Sequence, residues 1–333
     1  MDVRANQEHS THSTHSTHST HSTHGTITSK VLVVDKDADC YDTIKAFCER
    51  HHLVGLKAHE EHIMAVLRSN VDLGGIMLSE RLAGLGEGAR GLARRIREVR
   101  PELPIFLRRR RESADQPLDA RESELFSAVY RIEEIDALAP ALTAAIFSQQ
   151  YPNALVRGIA EISRMVLENQ FPGMRVEIDQ PYLVRDRIIF GEVFTLIPLE
   201  SSWCRGYMML QAEQKTLQAL TGDASDDFRD LNNALGELTN LIWGWFKNRF
   251  INQSQPIHQL SQVPIIINHQ HRYISFGSDD AQLCFKYVLR REDGAPLVLL
   301  QRFIFNLSWS PEDFTENQTS VEELFESGEL ELF

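Results

Sequence analysis

The sequence contains few cysteines and no long apolar run, and each of these features excludes some classes of protein. Its 333 residues include four cysteines, none in a C-x-x-C pair, so we expect buried thiols rather than a disulfide framework or a zinc site. No stretch reaches the roughly 18 to 20 apolar residues that span a membrane. The first residues lead into no apolar segment, which argues against a secretory signal and predicts a cytoplasmic protein without a membrane partner.

Basic residues are also in the minority. The chain has 34 lysines and arginines against 47 aspartates and glutamates, which gives a formal net charge of −13. Such a surface repels a nucleic-acid backbone, so we expect no nucleic-acid partner. The hydrophobic content of 42% is sufficient for packed cores, and the length suits two domains.

The charge is distributed unevenly along the chain. Residues 311–333 contain eight acidic residues and no base, whereas residues 90–111 contain nine arginines. Two interpretations remain open. In the first, the arginines form a solvated basic face and the acidic end is flexible. In the second, the acidic end, which also carries Leu324 and Phe325, docks on these arginines or on a partner.

The N-terminal part of the chain is a low-complexity segment. Residues 9–24 repeat a triplet in which every third residue is histidine and the others are serine and threonine. With almost nothing apolar to bury, residues 1–27 are predicted to be a disordered leader, whose clustered imidazoles could bind a divalent metal weakly. At the other end, residues 310–333 are predicted to be an acidic tail.

Residues 28–149 alternate short apolar runs with helical patterns. Five strands, each followed by a helix, predict an α/β fold with a doubly wound parallel sheet, in which function sits at the carboxyl ends of the strands. We place the strands at 30–35, 53–57, 73–78, 104–107 and 126–131, and the helices at 39–50, 60–69, 86–99, 113–124 and 137–149.

Residues 150–309 follow a different pattern. Long strands are grouped before and after a pair of helices, which predicts an α+β domain with a mostly antiparallel sheet. The predicted helices lie at 154–170, 212–221 and 226–250, and the predicted strands at 174–183, 188–198, 204–211, 262–269, 271–277, 282–291 and 296–307. The last two strands are joined across residues 292–294, a good hairpin signal.

The first predicted strand of the N-terminal half ends in an acidic residue. The run Val31-Leu32-Val33-Val34-Asp35 and the five-fold alternation resemble the receiver domain of two-component response regulators, a flavodoxin-like fold. In that family, two adjacent acids after the first strand hold Mg²⁺, and an aspartate at the end of the third strand accepts a phosphoryl group. Asp35 matches the first acid, but Lys36 stands in place of the second and Asp37 comes one residue later.

The third strand departs from the family further. The run Leu73-Gly74-Gly75-Ile76-Met77-Leu78-Ser79-Glu80 contains no aspartate, and either Ser79 or Met77 falls at the vestigial phosphoacceptor position. Arg108 matches the family's Ser or Thr after the fourth strand, and Arg131 is the best match for its lysine. We therefore predict a degenerate receiver. The region is also similar to the receiver-like wing domain of bacterial basic amino-acid decarboxylases, which implies a role in assembly.

The metal site is expected to be lost with the phosphoacceptor. One secure carboxylate, Asp35, beside the ammonium of Lys36 suits the near-octahedral oxygen coordination of Mg²⁺ poorly. We expect Asp35 and Asp37 to act as loop and helix-capping residues, with a bound cation as the alternative.

A Glu-x-x-Asn pair is the most informative motif of the C-terminal half. Glu237 and Asn240 lie three residues apart on a predicted helix, so they project from one face. An amide can orient a water molecule and a carboxylate can pair with a lysine of a docked partner. The alternative is two polar residues on the wet face of an amphipathic helix.

The context of this pair favours the functional interpretation. The pattern Gly-Glu-x-x-Asn-x-x-x-Gly, formed by Gly236, Glu237, Asn240 and Gly244, resembles the signature helix of the CheC and CheX chemotaxis phosphatases. The resemblance implies that Asn240 positions the attacking water and that Glu237 docks the partner. Arg164 stands where a second active helix would carry its asparagine, which favours the single-site CheX arrangement.

The leading hypothesis is a cytoplasmic chemotaxis-type signalling protein that hydrolyses the aspartyl phosphate of a separate receiver. The resemblance implies that Mg²⁺ is carried by this partner receiver, so no cofactor of the chain's own and no small-molecule substrate are expected. A homodimer is expected by analogy with fused receiver domains. The alternative is a non-catalytic scaffold or dimerising module that recognises receivers, with Glu237 and Asn240 as a docking surface.

Overall fold

The structure is a computed structural model that describes residues 27–82, 88–112, 117–221, 228–251, 265–292 and 294–317. Most of the predicted leader and the acidic residues after 317 therefore lie outside the described residues. We call residues 27–149 the N-terminal region and residues 150–317 the C-terminal region, following the boundary that the sequence predicts. Within the described residues, no helix combines the length and apolarity that a bilayer crossing requires.

The N-terminal region is built on five parallel strands in the order β2-β1-β3-β4-β5, the flavodoxin-like order. The strands are β1 (Ser29–Val34), β2 (Leu53–Lys57), β3 (Leu73–Ser79), β4 (Ile105–Arg108) and β5 (Ala128–Tyr130). The helices are α1 (Ala38–Arg50), α2 (Ile63–Ser69), α3 (Gly88–Val99), α4 (Ala120–Ser123) and α5 (Ala139–Ile146). This confirms the predicted doubly wound α/β fold.

Three helices of this region are shorter than predicted. The predicted helix 60–69 is α-helical only from Ile63, after a 3₁₀ turn at Glu60–His62. The predicted helix 113–124 is reduced to α4, which begins after Asp119, whose side chain accepts a hydrogen bond from the backbone of Glu122; residues 113–116 lie outside the described residues. The predicted helix 137–149 starts with Pro140 in its first turn and ends at Ile146, and a 3₁₀ helix, Ile132–Leu138, precedes it.

The C-terminal region combines three helices with a mostly antiparallel sheet, as predicted. Its helices are α6 (Asn153–Gln170), α7 (Gln214–Thr221) and α8 (Phe228–Phe250). Its strands are β6 (Arg175–Ile178), β7 (Tyr182–Val184), β8 (Val193–Glu200), β9 (Cys204–Ala212), β10 (Ile266–Asn268), β11 (Tyr273–Ser275), β12 (Gln282–Arg290) and β13 (Leu297–Trp309). The main sheet runs β6-β12-β13-β9-β8, with β7 also paired to β12, and β10 and β11 form a separate two-stranded sheet.

Four predicted strands of this region differ in the structure. Those at 262–269 and 271–277 are reduced to β10 and β11, and residues 262–264 lie outside the described residues. The predicted strand 174–183 is divided into β6 and β7, which pair with different parts of β12, because Pro181 between them has no N–H for a ladder. The predicted strand 188–198 begins only at Val193, after Gly191 with a φ of 66°, while Ile188 makes a single bridge to Tyr273.

The two regions share a packed boundary. One apolar core is continuous from α1 and α5 into α6, α8 and the main sheet. Backbone hydrogen bonds join Thr28 to β7, from its N–H to Pro181 and from Leu183 to its carbonyl. Arg100, after α3, forms a buried ion pair with Asp186. Among the described residues, the N-terminal region therefore docks through the amino-terminal edge of its sheet, and the carboxyl-terminal edge lies away from this contact.

Candidate functional site

The carboxyl-terminal edge of the parallel sheet brings together three residues that the sequence singled out. Asp35 follows β1, and β3 and β4 end at Ser79 and Arg108, which are Cα partners across neighbouring strands. Because parallel strands end on the same side of a sheet, their last side chains meet. All three residues are buried. We call this group, Asp35, Ser79 and Arg108, the Arg108 pocket.

The guanidinium of Arg108 occupies the centre of this pocket. Its Nε donates to Oδ2 of Asp35 at 2.6 Å, and its Nη2 donates to Oδ1 of Asp35 at 2.9 Å and to Oγ of Ser79 at 3.0 Å. Burial alone would lower the pKa of Arg108, but the hydrogen bond and charge of Asp35 outweigh it and leave the pKa raised. A bidentate ionised pair of this kind is geometrically specific and strong.

A receiver's Mg²⁺ does not fit these donors. Both oxygens of Asp35 already accept from Arg108, and the carboxylate of Asp37 lies 3.8 Å from the same guanidinium. Mg²⁺ requires several oxygen ligands in near-octahedral order, whereas this pocket holds a cation of its own. Ser79 offers a hydroxyl rather than a carboxylate, so an acyl phosphate cannot form on it. The pocket is built as a structural ion pair.

The other residues carried over from the receiver family lie elsewhere. Met77 is buried with its Sδ 3.9 Å from Sγ of Cys48, whereas the hydroxyl of Ser79 accepts from Arg108. Asp37 is the N-cap residue of α1, although its side chain accepts no capping hydrogen bond, and its backbone N–H donates to Oδ1 of Asp35 in the preceding loop. Arg131 pairs with Glu134 at the surface and is not joined to the Arg108 pocket.

Helix α8 presents the Glu-x-x-Asn pair through its amphipathic packing. Its buried side faces β8, and Oγ1 of Thr239 contacts Oγ1 of Thr195 at 2.5 Å. Buried positions recur at the 3.6-residue period of a helix, so the remaining positions face outward. The buried residues are Leu231, Leu235, Leu238, Thr239, Ile242, Trp245, Phe246 and Phe250.

Glu237 and Asn240 are both exposed on the outer side of α8. Neither forms a side-chain hydrogen bond or an ion pair with any other residue that the structure describes. At Gly236 and Gly244, one helical turn either side of Asn240, an added Cβ would meet no atom of the described residues within 4 Å. We call these four residues the α8 strip. The strip is low and open, so a partner's backbone can approach Asn240 closely.

The bulky residues that follow the motif leave the strip accessible. Trp245 and Phe246 are buried in the core, whereas Trp243 is half-buried with its ring centroid 5.9 Å from that of Phe246. Trp243 lies three residues after Asn240 and so borders the strip.

Helix α6 packs beside α8 but carries a different pair. Glu161 and Arg164 are exposed on α6, at the spacing of Glu237 and Asn240. Glu161 pairs with Nη1 of Arg249 at 2.9 Å, and Glu316 pairs with Nε of the same arginine at 2.6 Å. With arginine in place of the amide and its glutamate engaged, α6 does not repeat the Glu-x-x-Asn pair of α8.

The nine arginines of residues 90–111 form much less of a basic face than predicted. Arg100, Arg108 and Arg109 are buried, and Arg97 donates to the carbonyls of Leu103 and Leu125. The exposed arginines are Arg90, Arg94, Arg95, Arg110 and Arg111. The run of charge in the sequence therefore combines structural arginines with solvated ones.

Sequence reasoning missed two groups that shape these sites. Arg108 was matched to a family position, but its role as the internal cation was not predicted, although a charge directly after Ile105-Phe106-Leu107 was a usable signal. The buried pair of Arg100 and Asp186 was also missed, because its partners are 86 residues apart and neither position is distinctive.

No protein-family model matches the chain, and no curated protein matches it. Solved structures similar to it include a response regulator receiver domain protein from Clostridium thermocellum, with 18% identity and a TM-score of 0.31 over 35% of this chain and 93% of that one. Full-length FixJ from B. japonicum has 18% identity and a TM-score of 0.29, covering 44% of this chain and 77% of that one. A CheC-like superfamily protein from Shewanella sp. PV-4 has 14% identity and a TM-score of 0.28, and the match covers 45% of this chain and 97% of that one.

Proposed function

We propose that this chain is a two-component signalling protein that hydrolyses the aspartyl phosphate of a separate receiver at the α8 strip. One observation carries the proposal: Glu237 and Asn240 are exposed together on an open helix face, with no bond to another described side chain. Polar groups in this state keep their full hydrogen-bonding capacity for a partner. The chain's own Arg108 pocket is not the substrate, because Ser79 replaces the aspartate.

In the proposed reaction, the chain acts by positioning. The amide of Asn240 hydrogen-bonds a water molecule and holds its oxygen in line with the bond between phosphorus and the partner's aspartate. The water oxygen bonds to phosphorus, the phosphorus–oxygen bond to aspartate breaks, and the products are a free carboxylate, inorganic phosphate and a proton. Glu237 pairs with a lysine of the partner, and Mg²⁺ carried by the partner neutralises the phosphoryl charge.

The N-terminal region has a different part in this proposal. With its pocket occupied by Arg108, we assign it to assembly, including formation of a homodimer, and to selection of the partner in the cytoplasm. The proposed reaction uses no small-molecule substrate and no cofactor bound by this chain.

Phosphate release from a phosphorylated receiver tests the proposal. A panel of receiver domains is phosphorylated with acetyl phosphate, freed of the donor, and mixed with the full chain. We expect Asn240→Ala to slow phosphate release by about 100-fold, since misplacing the attacking group costs roughly that factor. Glu237→Ala should instead raise the receiver concentration needed for half-maximal rate.

Asn233→Ala is the matched control, because Asn233 is an exposed asparagine on the same helix, two turns before Asn240. It should keep the rate of the unmodified chain. Equal rates for the unmodified chain and Asn240→Ala would refute the catalytic assignment.

A non-catalytic binding module is the second candidate, and one observation favours it. No described side chain holds the amide of Asn240 in a particular orientation, so its position would depend on the partner. This candidate predicts a complex with the phosphorylated receiver that Glu237→Ala weakens, together with phosphate release no faster than from the receiver alone.

A further inference from the structure

A cleft of about 580 Å³ lies where the N-terminal and C-terminal regions meet. Its walls come from the end of α1, from α5 and the loop that follows it, and from β7. The apolar part is formed by Ile27, Leu142, Phe147 and Leu183. A concave site of this size, mainly apolar with a few polar groups, is typical of a binding site.

The polar rim of this cleft favours an acidic occupant. Arg50, His51 and His52 line it, and the described lining residues include no aspartate or glutamate. Nη2 of Arg50 lies 2.5 Å from Oδ1 of Asp136. A guanidinium has five N–H donors, so Arg50 keeps several of them for a second acceptor. A ligand that combines carboxylates with apolar side chains matches both the rim and the floor.

The chain itself contains such a sequence. The sixteen residues after Asn317 include five glutamates and no base, and leucine and phenylalanine alternate with these acids. We propose that residues 318–333 bind in this cleft, with Leu324 and Phe325 on its apolar floor and the neighbouring glutamates on its rim.

The anchoring of the preceding residues makes this reach feasible. Asn317 donates from its N–H to the carbonyl of Arg249 at 2.8 Å and from its amide to the carbonyl of Asn248 at 2.6 Å. Arg249 packs on Gly158, which lies five residues, about 7.5 Å, along α6 from its start beside the cleft. The eight residues from Asn317 to Phe325 extend up to about 26 Å, which is several times the length of this part of α6.

The structure also favours the cleft over the exposed arginines of α3. Strand β13 ends on the cleft wall, where Nε1 of Trp309 donates to the carbonyl of Gln150 at 3.2 Å and its ring lies 5.0 Å from that of Tyr151. Arg94 and Arg95 lie on the exposed polar side of α3, where the leucine and phenylalanine of a bound segment would rest on charged side chains.

Disulfide trapping in the full chain tests the proposal. Ser327→Cys is combined either with Thr143→Cys in the cleft or with Arg95→Cys on α3. The native cysteines do not interfere, because all four are buried and burial raises the pKa of Cys40 and Cys48 to about 11. Under mild oxidation, we expect the cleft pair to form an intramolecular disulfide at least tenfold faster than the α3 pair.

Adding Leu324→Ser and Phe325→Ser should remove this difference, because the apolar anchors are then lost. Equal rates for the two pairs, a faster α3 pair, or a disulfide that forms only between chains and depends on protein concentration would each overturn the proposal. The readout involves no phosphate release, so it is independent of the proposed function.

Discussion

The Arg108 pocket and the α8 strip both carry a carboxylate beside a second polar side chain, yet their surroundings are opposite. In the pocket, Asp35 is buried and both of its oxygens accept from Arg108. On the strip, Glu237 and Asn240 are exposed and make no side-chain bond to another described residue. Residue type alone therefore does not separate a structural site from a candidate interaction site. The difference lies in whether the hydrogen-bonding capacity is already used.

The largest expected effect tests this contrast through stability. Arg108→Ala removes one partner of a buried ion pair and leaves Asp35 as an uncompensated charge, so we expect the free energy of unfolding to fall by about 3–5 kcal/mol. Glu237→Ala and Asn240→Ala change exposed positions and should stay within about 0.5 kcal/mol of the unmodified chain. Urea unfolding followed by circular dichroism measures all three.

The double variant Asp35→Leu with Arg108→Met is the control for this experiment. Replacing both members of a buried pair by apolar residues of similar size is often nearly neutral, so most of the loss should be recovered. A loss below about 1 kcal/mol for Arg108→Ala alone would show that the pocket is as open to water as the strip.

The sequence predicted the local elements of this molecule better than its long-range pairs. The strands of the N-terminal region and helix α8 follow from apolar periodicity, which is a local property. The exposure of Glu237 and Asn240 also follows, because the buried positions of α8 recur at helical spacing. The strand predicted at 188–198 starts five residues too early, since Gly191 turns the chain before β8 begins at Val193.

The contacts of Arg108 and Arg100 could not be predicted in the same way. Arg108 meets Asp35 across 73 residues, and Arg100 meets Asp186 across 86. Both arginines lie in a charge-rich stretch whose composition is typical of a solvated surface. Only the register of β3 against β4, and the docking of the two regions, determine which of these arginines are buried.

An intermediate effect on stability is expected when either of two glycines on neighbouring helices is replaced by alanine. At Gly158 on α6, an added Cβ would overlap the ring of Phe250, whereas at Gly244 on the α8 strip it would meet no atom of the residues that the structure describes. Gly158→Ala should therefore lower the free energy of unfolding by about 1–3 kcal/mol through overpacking. Gly244→Ala should raise it by up to about 1 kcal/mol, because alanine favours the helix.

The same pair of variants sharpens the functional side of the comparison. The methyl group of Gly244→Ala stands on the α8 strip, so we expect phosphate release from a phosphorylated receiver to slow severalfold in a chain that is more stable. A chain that is stabilised and equally active would show that the partner does not approach this end of the strip.

The smallest expected effect is a loss of stability at alkaline pH, and it concerns a buried thiol in contrast to the exposed α8 strip. Burial raises the pKa of the Cys48 thiol from 9.0 to about 11. The stability that this neutral thiol contributes is complete below pH 9 and is lost as the pH rises towards 11, because only the unfolded chain ionises readily in that interval. At pH 9.5 the loss should be about 0.8 kcal/mol. Urea unfolding of the unmodified chain and of Cys48→Ala at pH 8 and at pH 9.5 measures this loss. If the difference in unfolding free energy between the two proteins stays constant with pH, water reaches this thiol as freely as it reaches the α8 strip.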